Sequence, residues 1–223
     1  MFKKKPTWHV EDSTWKAGQI LQMLKRNDLF PDTVCEIGCG AGAILEQLQL
    51  QLDNNCVFYG YDISPQAIAL CLNRANDKLH FKLKDITKES NDDLFDLLLI
   101  IDVVEHIEDY FDFLRKIRIK GEYKIFHIPL EINVLRVLRG YPMINSWKNS
   151  GHIHNFTKET ALQSLVETGY EIVDYFYTCN FKRLYIKYWK TCILQMVQRV
   201  AFAIHSDLAV RLFGGCSLMV LTK

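Results

Sequence analysis

The chain has 223 residues, 49% hydrophobic and 24% charged, a balance that suits one compact domain with a sizeable core. Lys and Arg number 27 against 26 Asp and Glu, which excludes a global basic field for nucleic acid and points to a small metabolite as partner. Seven cysteines without a CxxC pair, and no charged segment leading into an apolar signal core, give the expectation of reduced thiols in a cytoplasmic protein.

Residues 1–10 read as a solvated arm with Lys3, Lys4 and Lys5 ahead of Pro6. Asp12 and Ser13 are placed to cap a helix over 12–26, with Trp15, Ile20, Leu21 and Leu24 along it. A strand from Val34 then ends on Glu36-Ile37 and passes at once into Gly38, Gly40 and Gly42. Leu45, Leu48 and Leu52 follow at helical spacing, so the stretch reads as strand, tight turn, helix. Three alternating glycines exceed what a bare turn requires. They allow positive φ or the approach of a ligand to bare backbone, and the helix N-terminus beyond them offers unpaired N–H groups. Cys35 and Cys39 read as a core residue and a small turn residue.

Acids recur at the ends of the next apolar runs: Asp62 after 56–61, Asp85 after 79–84, and Asp102 after 94–101. Ser64-Pro65 opens a second helix, with Ala67, Ile68, Leu70, Cys71 and Leu72 as its expected buried side. The run 94–101 is almost continuously apolar, as a strand buried on both faces requires. A helix over 109–119 and a fifth strand over 123–128, stopped by Pro129, complete an alternation of βαβ units and hence a mainly parallel sheet.

Residues 130–150 lack clear periodicity and read as an insertion, either a lid that covers the substrate or a connection between elements. Thr157 is placed to cap a helix through Leu165, with Gly169 beyond its end, and 170–178 alternates as a sixth strand. Residues 181–213 are apolar and basic and read as one or two helices. Gln195, Gln198 and Arg199 interrupt 191–204, which is too short and polar to cross a bilayer needing about 20 apolar residues. The default role is a core-packing or dimer helix, with peripheral contact to a membrane surface as the alternative.

The acids separate two ligand readings. Gly38-x-Gly40-x-x-Ala43 with Asp62 satisfies the G/A-ended fingerprint of a nicotinamide dinucleotide oxidoreductase. Glu36, two residues before the first glycine, instead suits a cationic or hydroxyl-bearing ligand, and no Tyr-x-x-x-Lys pair follows the fifth strand. A third class is a non-catalytic protein that binds a membrane surface through its basic C-terminal helices.

Together, Glu36-x-Gly38-x-Gly40-x-Gly42, Tyr61-Asp62-Ile63-Ser64, Lys84-Asp85-Ile86 and Asp102-Val103-Val104-Glu105-His106-Ile107 resemble the ordered motifs of class I S-adenosylmethionine-dependent methyltransferases. The later Gly151-His152-Ile153-His154-Asn155-Phe156-Thr157 is similar to the C-terminal half of small-molecule members, including the ubiquinone-biosynthesis O-methyltransferases. The resemblance implies a doubly wound, mainly parallel seven-stranded Rossmann-like α/β sheet whose last strand, 217–221, runs antiparallel. It implies S-adenosyl-L-methionine as cofactor. Glu36 and the backbone of Gly38, Gly40 and Gly42 would meet the methionine portion, Asp62 the ribose, and Ile63 the adenine ring. Asp85 with Ile86 would meet the adenine, and Asp102 with Val103 would line the methionyl side near the methyl.

Methyl transfer from a sulfonium needs mainly in-line positioning and exclusion of water. A hydroxyl acceptor must also lose its proton, and His106, directly after the fourth strand, and His154, on a loop returning to the same edge, are the expected bases. His127 and His152 are further imidazoles. Asp102, Glu105 and His106 stand at i, i+3 and i+4, so one helical turn would bring them to one face. That pattern resembles the metal site of the ubiquinone O-methyltransferases and of a small-RNA 2′-O-methyltransferase, completed by a residue comparable to His152 or His154. No metal ligand is assigned from it.

Overall fold

The computed structural model describes residues 10–88, 94–179, 181 and 189–223, with side chains undescribed over 189–194. The expected N-terminal arm and part of the 181–213 insertion lie outside these residues. Seven strands form one sheet: β1 Thr33–Ile37, β2 Val57–Asp62, β3 Leu79–Leu83, β4 Phe95–Ile101, β5 Gly121–Pro129, β6 Ile172–Cys179 and β7 Cys216–Thr222. Their order is β3-β2-β1-β4-β5-β7-β6. β1 to β5 pair in parallel, and β7 runs antiparallel between β5 and β6, as the resemblance implies.

The apolar run of β4 explains the two-layer packing. Leu97, Leu99 and Ile101 point to one face, where Ala17, Ile20, Met23 and Leu24 of helix α1 (Ser13–Arg26) meet Ile44, Leu45 and Leu48 of helix α2 (Ala43–Gln49). Leu98 and Ile100 point to the other, against helix α4 (Tyr110–Ile117) and helix α7 (Lys158–Glu167). Alternation along one strand thus gives each face its own core. Helix α3 (Pro65–Cys71) is capped by the Ser64 hydroxyl, which accepts from the Ala67 N–H.

Several expectations change. Asp12 makes no capping bond, because a 3-10 turn over Val10–Asp12 already leads into α1. Only Ala67 and Cys71 of α3 are buried; Leu70 and Leu72 face outward, since this short helix rests one narrow stripe on the sheet. Residues 130–150 hold two helices, α5 (Val134–Arg139) and α6 (Tyr141–Ser150). The 181–213 segment holds α8 (Trp189–Ile204) and α9 (Ser206–Phe213). The thiols are not all free: Cys179 and Cys216 are register partners on adjacent antiparallel strands, which places them for the disulfide they form. No helix among the described residues is long and apolar enough to cross a membrane.

Candidate active site

In a doubly wound sheet the ligand crevice opens at the carboxyl ends of the strands where the order reverses, here between β1 and β4. Glu36 lies at this end of β1, and the glycine turn follows. Gly38 (φ +73) accepts Val103 so closely that a Cβ would lie 2.8 Å from its methyl, so the turn can be occupied only by a residue without a side chain. The Gly38 and Cys39 N–H groups both donate to the Tyr61 carbonyl, tying the turn to β2. Gly42 (φ +74) starts α2, and a Cβ there would meet the Phe81 ring at 2.5 Å. Gly42→Ala therefore combines a strained backbone with an overpacked contact. It should cost about 2 kcal/mol, read as a lowered midpoint in urea; an unchanged midpoint would show that Phe81 swings aside.

Glu36 is 2% exposed, and its Oε2 has no hydrogen-bond partner among the described residues. Burial pushes its carboxyl well above the ordinary value; Lys16 opposes that push, while Cys71, Asp62 and Asp102 add to it. Asp62 is already engaged, accepting from the Gly40 N–H at 2.9 Å and the Ser64 N–H at 2.8 Å, one bond per oxygen. Each oxygen retains a lone pair for a ligand hydroxyl. Ile63, beside it, is 73% exposed, an apolar side chain standing in open space at the crevice. Ile86 is buried, and Asp85 caps its own turn, accepting from the Thr87 N–H and hydroxyl and pairing with Lys88.

Asp102 departs from the expected arrangement. Its φ of +54 turns the chain as β4 ends, and the carboxylate goes to Lys16 Nζ of α1 (2.7 Å) and to His127 of β5 (2.5 Å). It thus does not share a helical face with Glu105 and His106; the turn over Val104–His106 begins after this bend. Because a carboxylate only accepts, His127 carries its proton on Nδ1. Its Nε2 faces the Thr178 hydroxyl at 2.8 Å. Desolvation resists the charge on Asp102, but His127 and Lys16 outweigh it and hold the carboxyl below its usual range. Desolvation likewise opposes the charge on Lys16, and Asp102 more than offsets it. With both nitrogens engaged, His127 is a buried link rather than an available base. Lys16 is the residue that sequence reasoning missed here, one cation on an amphipathic helix with no local signal.

The second cluster lies next to it. Glu105 is fully buried, and neither carboxylate oxygen has a hydrogen-bond partner among the described residues. Desolvation, then repulsion from Asp102, raises its carboxyl well above the ordinary value. Ligand atoms of Glu105, His106 and His152 lie within 4.8 Å of one another. His106 Nδ1 donates to the Gly151 carbonyl at 3.0 Å, and His152 Nδ1 donates to Glu131 Oε2 at 2.9 Å. With Nδ1 engaged, Nε2 is the nitrogen each ring turns to the cluster, and in its neutral form each presents a lone pair there. Desolvation, joined by repulsion from His152, lowers the His106 pKa against the pull of the Gly151 carbonyl. Glu131 also accepts from Arg136 and from the Ser146 hydroxyl; desolvation works against its charge, yet these partners and His152 bring its carboxyl down to about 2. His154 stands apart: its Nε2 donates to the Glu108 carbonyl at 3.1 Å and its ring packs on Tyr110. Sequence reading ranked His154 above His152, because two histidines on one loop carry no mark of which meets Glu105.

Residues 31–179 match the family described as "Methyltransferase domain". Over 106 residues the chain is 29% identical to Nodulation protein S of Sinorhizobium fredii (strain NBRC 101917 / NGR234), covering 46% of this chain and 48% of that protein. The chain thus spans about half the length of the curated relatives it matches. In structure it is similar to the N-methyltransferase NodS from Bradyrhizobium japonicum WM9 in complex with S-adenosyl-l-homocysteine. That likeness has a TM-score of 0.60 and 17% identity, over 99% of this chain and 88% of that one. Magnesium protoporphyrin IX methyltransferase (ChlM) from Synechocystis PCC 6803 with bound SAH superposes with a TM-score of 0.62 at 14% identity, over 94% of this chain and 82% of that one. At these identities the likeness is one of fold.

Proposed function

The chain belongs to the methyltransferase-domain family, and from that premise we propose that it moves a methyl group from S-adenosyl-L-methionine to an oxygen of a small-molecule acceptor, with residues 1–223 acting as one domain. Membership sets aside the dinucleotide oxidoreductase, which shares the glycine spacing but not the placement of Glu36. The observation that carries the reading is the buried Glu36 carboxylate at the glycine turn, with Oε2 unpartnered. A carboxylate so placed is stabilised by a ligand ammonium, as the methionine portion offers. Asp62 retains lone pairs for ribose hydroxyls, and exposed Ile63 offers an apolar platform to adenine.

The cofactor supplies a methyl already activated on a sulfonium, so this chain's residues need only hold it, exclude water and take a proton. His106, in its neutral form with the Nε2 lone pair turned to the cluster, is placed to accept the hydroxyl proton while the oxygen–carbon bond forms and the carbon–sulfur bond breaks. His154 fixes the loop through Glu108, and His152 stands beside the base. NodS is named an N-methyltransferase; a proton-accepting cluster favours oxygen here, because a neutral amine attacks with its own lone pair. The donor set also fits a divalent cation, since Glu105 has two unpartnered oxygens and His106 and His152 each present Nε2. Held by those three residues, it would polarise an acceptor hydroxyl, and His106 would then serve as a ligand in place of its role as base, since Nε2 is its one remaining nitrogen.

Calorimetric titration with S-adenosylhomocysteine tests the reading. The wild type should bind, and Glu36→Gln should weaken binding about 10- to 100-fold, as loss of a charged hydrogen bond predicts. Heat on adding NAD but none with S-adenosylhomocysteine would overturn the assignment.

A further inference from the structure

Helices α5, α6, α8 and α9 form a connected layer through α5–α6, α5–α9 and α8–α9 contacts, and its outward side is apolar. On α5, Val137 and Leu138 are exposed; on α6, Ile144 and Trp147; on α8, Val200 and Ile204, with Leu138 and Ile204 about four-fifths exposed at 79% and 80%. Val134, 42% exposed, stands at i, i+3 and i, i+4 to Val137 and Leu138, Ile144 at i, i+3 to Trp147, and Val200 at i, i+4 to Ile204, spacings that share one face of each helix, so the exposure is patterned rather than scattered. A buried core cannot account for side chains that face away from it.

The charges beside these faces choose the occupant. Residues 134–150 contain Arg136, Arg139 and Lys148 and no acid. Arg136 is paired with Glu131, while Arg139 and Lys148 are exposed with no carboxylate within ion-pair distance among the described residues. Residues 195–213 add Arg199, which donates to the Phe181 carbonyl, and Arg211, paired with Glu159, against one acid, Asp207, which Lys158 and Tyr177 engage, so Arg139 and Lys148 are the cations of this layer left to an outside partner. A second copy of this chain would bring like charges together across a twofold axis. An anionic bilayer surface meets both features, taking the apolar side chains among its acyl chains and the cations among its headgroups. Trp147 and Tyr141, exposed with polar ring edges, suit that interface. Among the described residues no helix is long and apolar enough to pass through the bilayer.

We propose that the layer of α5, α6, α8 and α9 docks this protein peripherally on anionic lipid membranes. Arg136 of α5 and Ser146 of α6 bond the same Glu131 carboxylate that holds His152, so docking would set the acceptor side of the crevice next to the bilayer.

The test is sedimentation of the full chain with vesicles. It should pellet with phosphatidylcholine vesicles containing phosphatidylglycerol, stay in solution with phosphatidylcholine alone, and be released by added salt. The double variant Leu138→Glu/Ile204→Glu should lose vesicle binding. Arg139→Gln/Lys148→Gln should weaken it about 25-fold, at about fivefold per cation. All four side chains are exposed, and unchanged affinity for S-adenosylhomocysteine verifies the fold of each variant, which also keeps this question separate from the methyl-transfer reading. A chain that stays in solution with anionic vesicles overturns the proposal. So does equal pelleting of the acidic double variant, or a wild-type dimer that the same variant splits while neither form pellets.

Discussion

Glu105→Gln, in protein dialysed against a chelator, will melt about 2 to 8 °C higher than wild type, and with manganese or magnesium restored it will be at least about 100-fold slower than wild type in methyl transfer. The stability gain follows from burial: a carboxylate with both oxygens unpartnered pays a desolvation cost that an amide of the same shape largely avoids. About 1–2 kcal/mol recovered corresponds to about 2–4 °C per kcal/mol in a chain of this size. The activity loss follows from position, because Glu105 is the one carboxyl in the cluster with His106 and His152, the group a bound cation would hold as carboxylate, and removing such a group typically costs two orders of magnitude or more. Manganese or magnesium should then raise the wild-type midpoint and leave the variant unmoved, since a ligand stabilises only the state that binds it. If the glutamine variant melts lower in chelated protein, Glu105 has a charged partner and the cation reading fails.

That residue also marks where sequence and structure part. The glycine turn and the acids at strand ends were legible because each is local: φ above zero demands glycine, and a strand ends where its apolar run ends. Thr33–Ile37, Leu79–Leu83 and Phe95–Ile101 fall within a residue or two of their expected bounds for the same reason. Contacts between distant residues were not legible. His152 meets Glu131 across 21 residues, and Lys16 meets Asp102 across the whole first half of the sheet; neither pairing leaves a periodic trace. The helices of 130–150 escaped for a different cause. Their apolar residues face outward, so the usual contrast between a buried stripe and a polar one was missing. Asp102 misled by spacing alone, since the i, i+3, i+4 argument assumes helical dihedrals that its φ of +54 does not have.

Asp102→Ala should destabilise the protein by about 3 kcal/mol, near the lower bound for breaking a buried ion pair, because it strands Lys16 and His127 together. Its side chain is 29% exposed, which argues against the upper end of that range. Asp102→Asn is the sharper variant. Asparagine tolerates the left-handed backbone, so the loss it reports is charge rather than strain. The pH dependence has a definite sign. The native carboxyl titrates below its ordinary value, so its contribution is complete above that ordinary value and is lost as pH falls through the lowered one. The gap between wild type and Asp102→Asn should therefore be constant from neutral pH down to about pH 5 and close below about pH 4. Lys16→Met with Asp102→Asn completes a double-mutant cycle. A coupling near zero would mean that α1 is held by its apolar face alone. A coupling of about 1–3 kcal/mol, together with weaker binding of S-adenosylhomocysteine in both single variants, would place Lys16 as the residue through which the N-terminal helix fixes the end of β4 beside the cofactor.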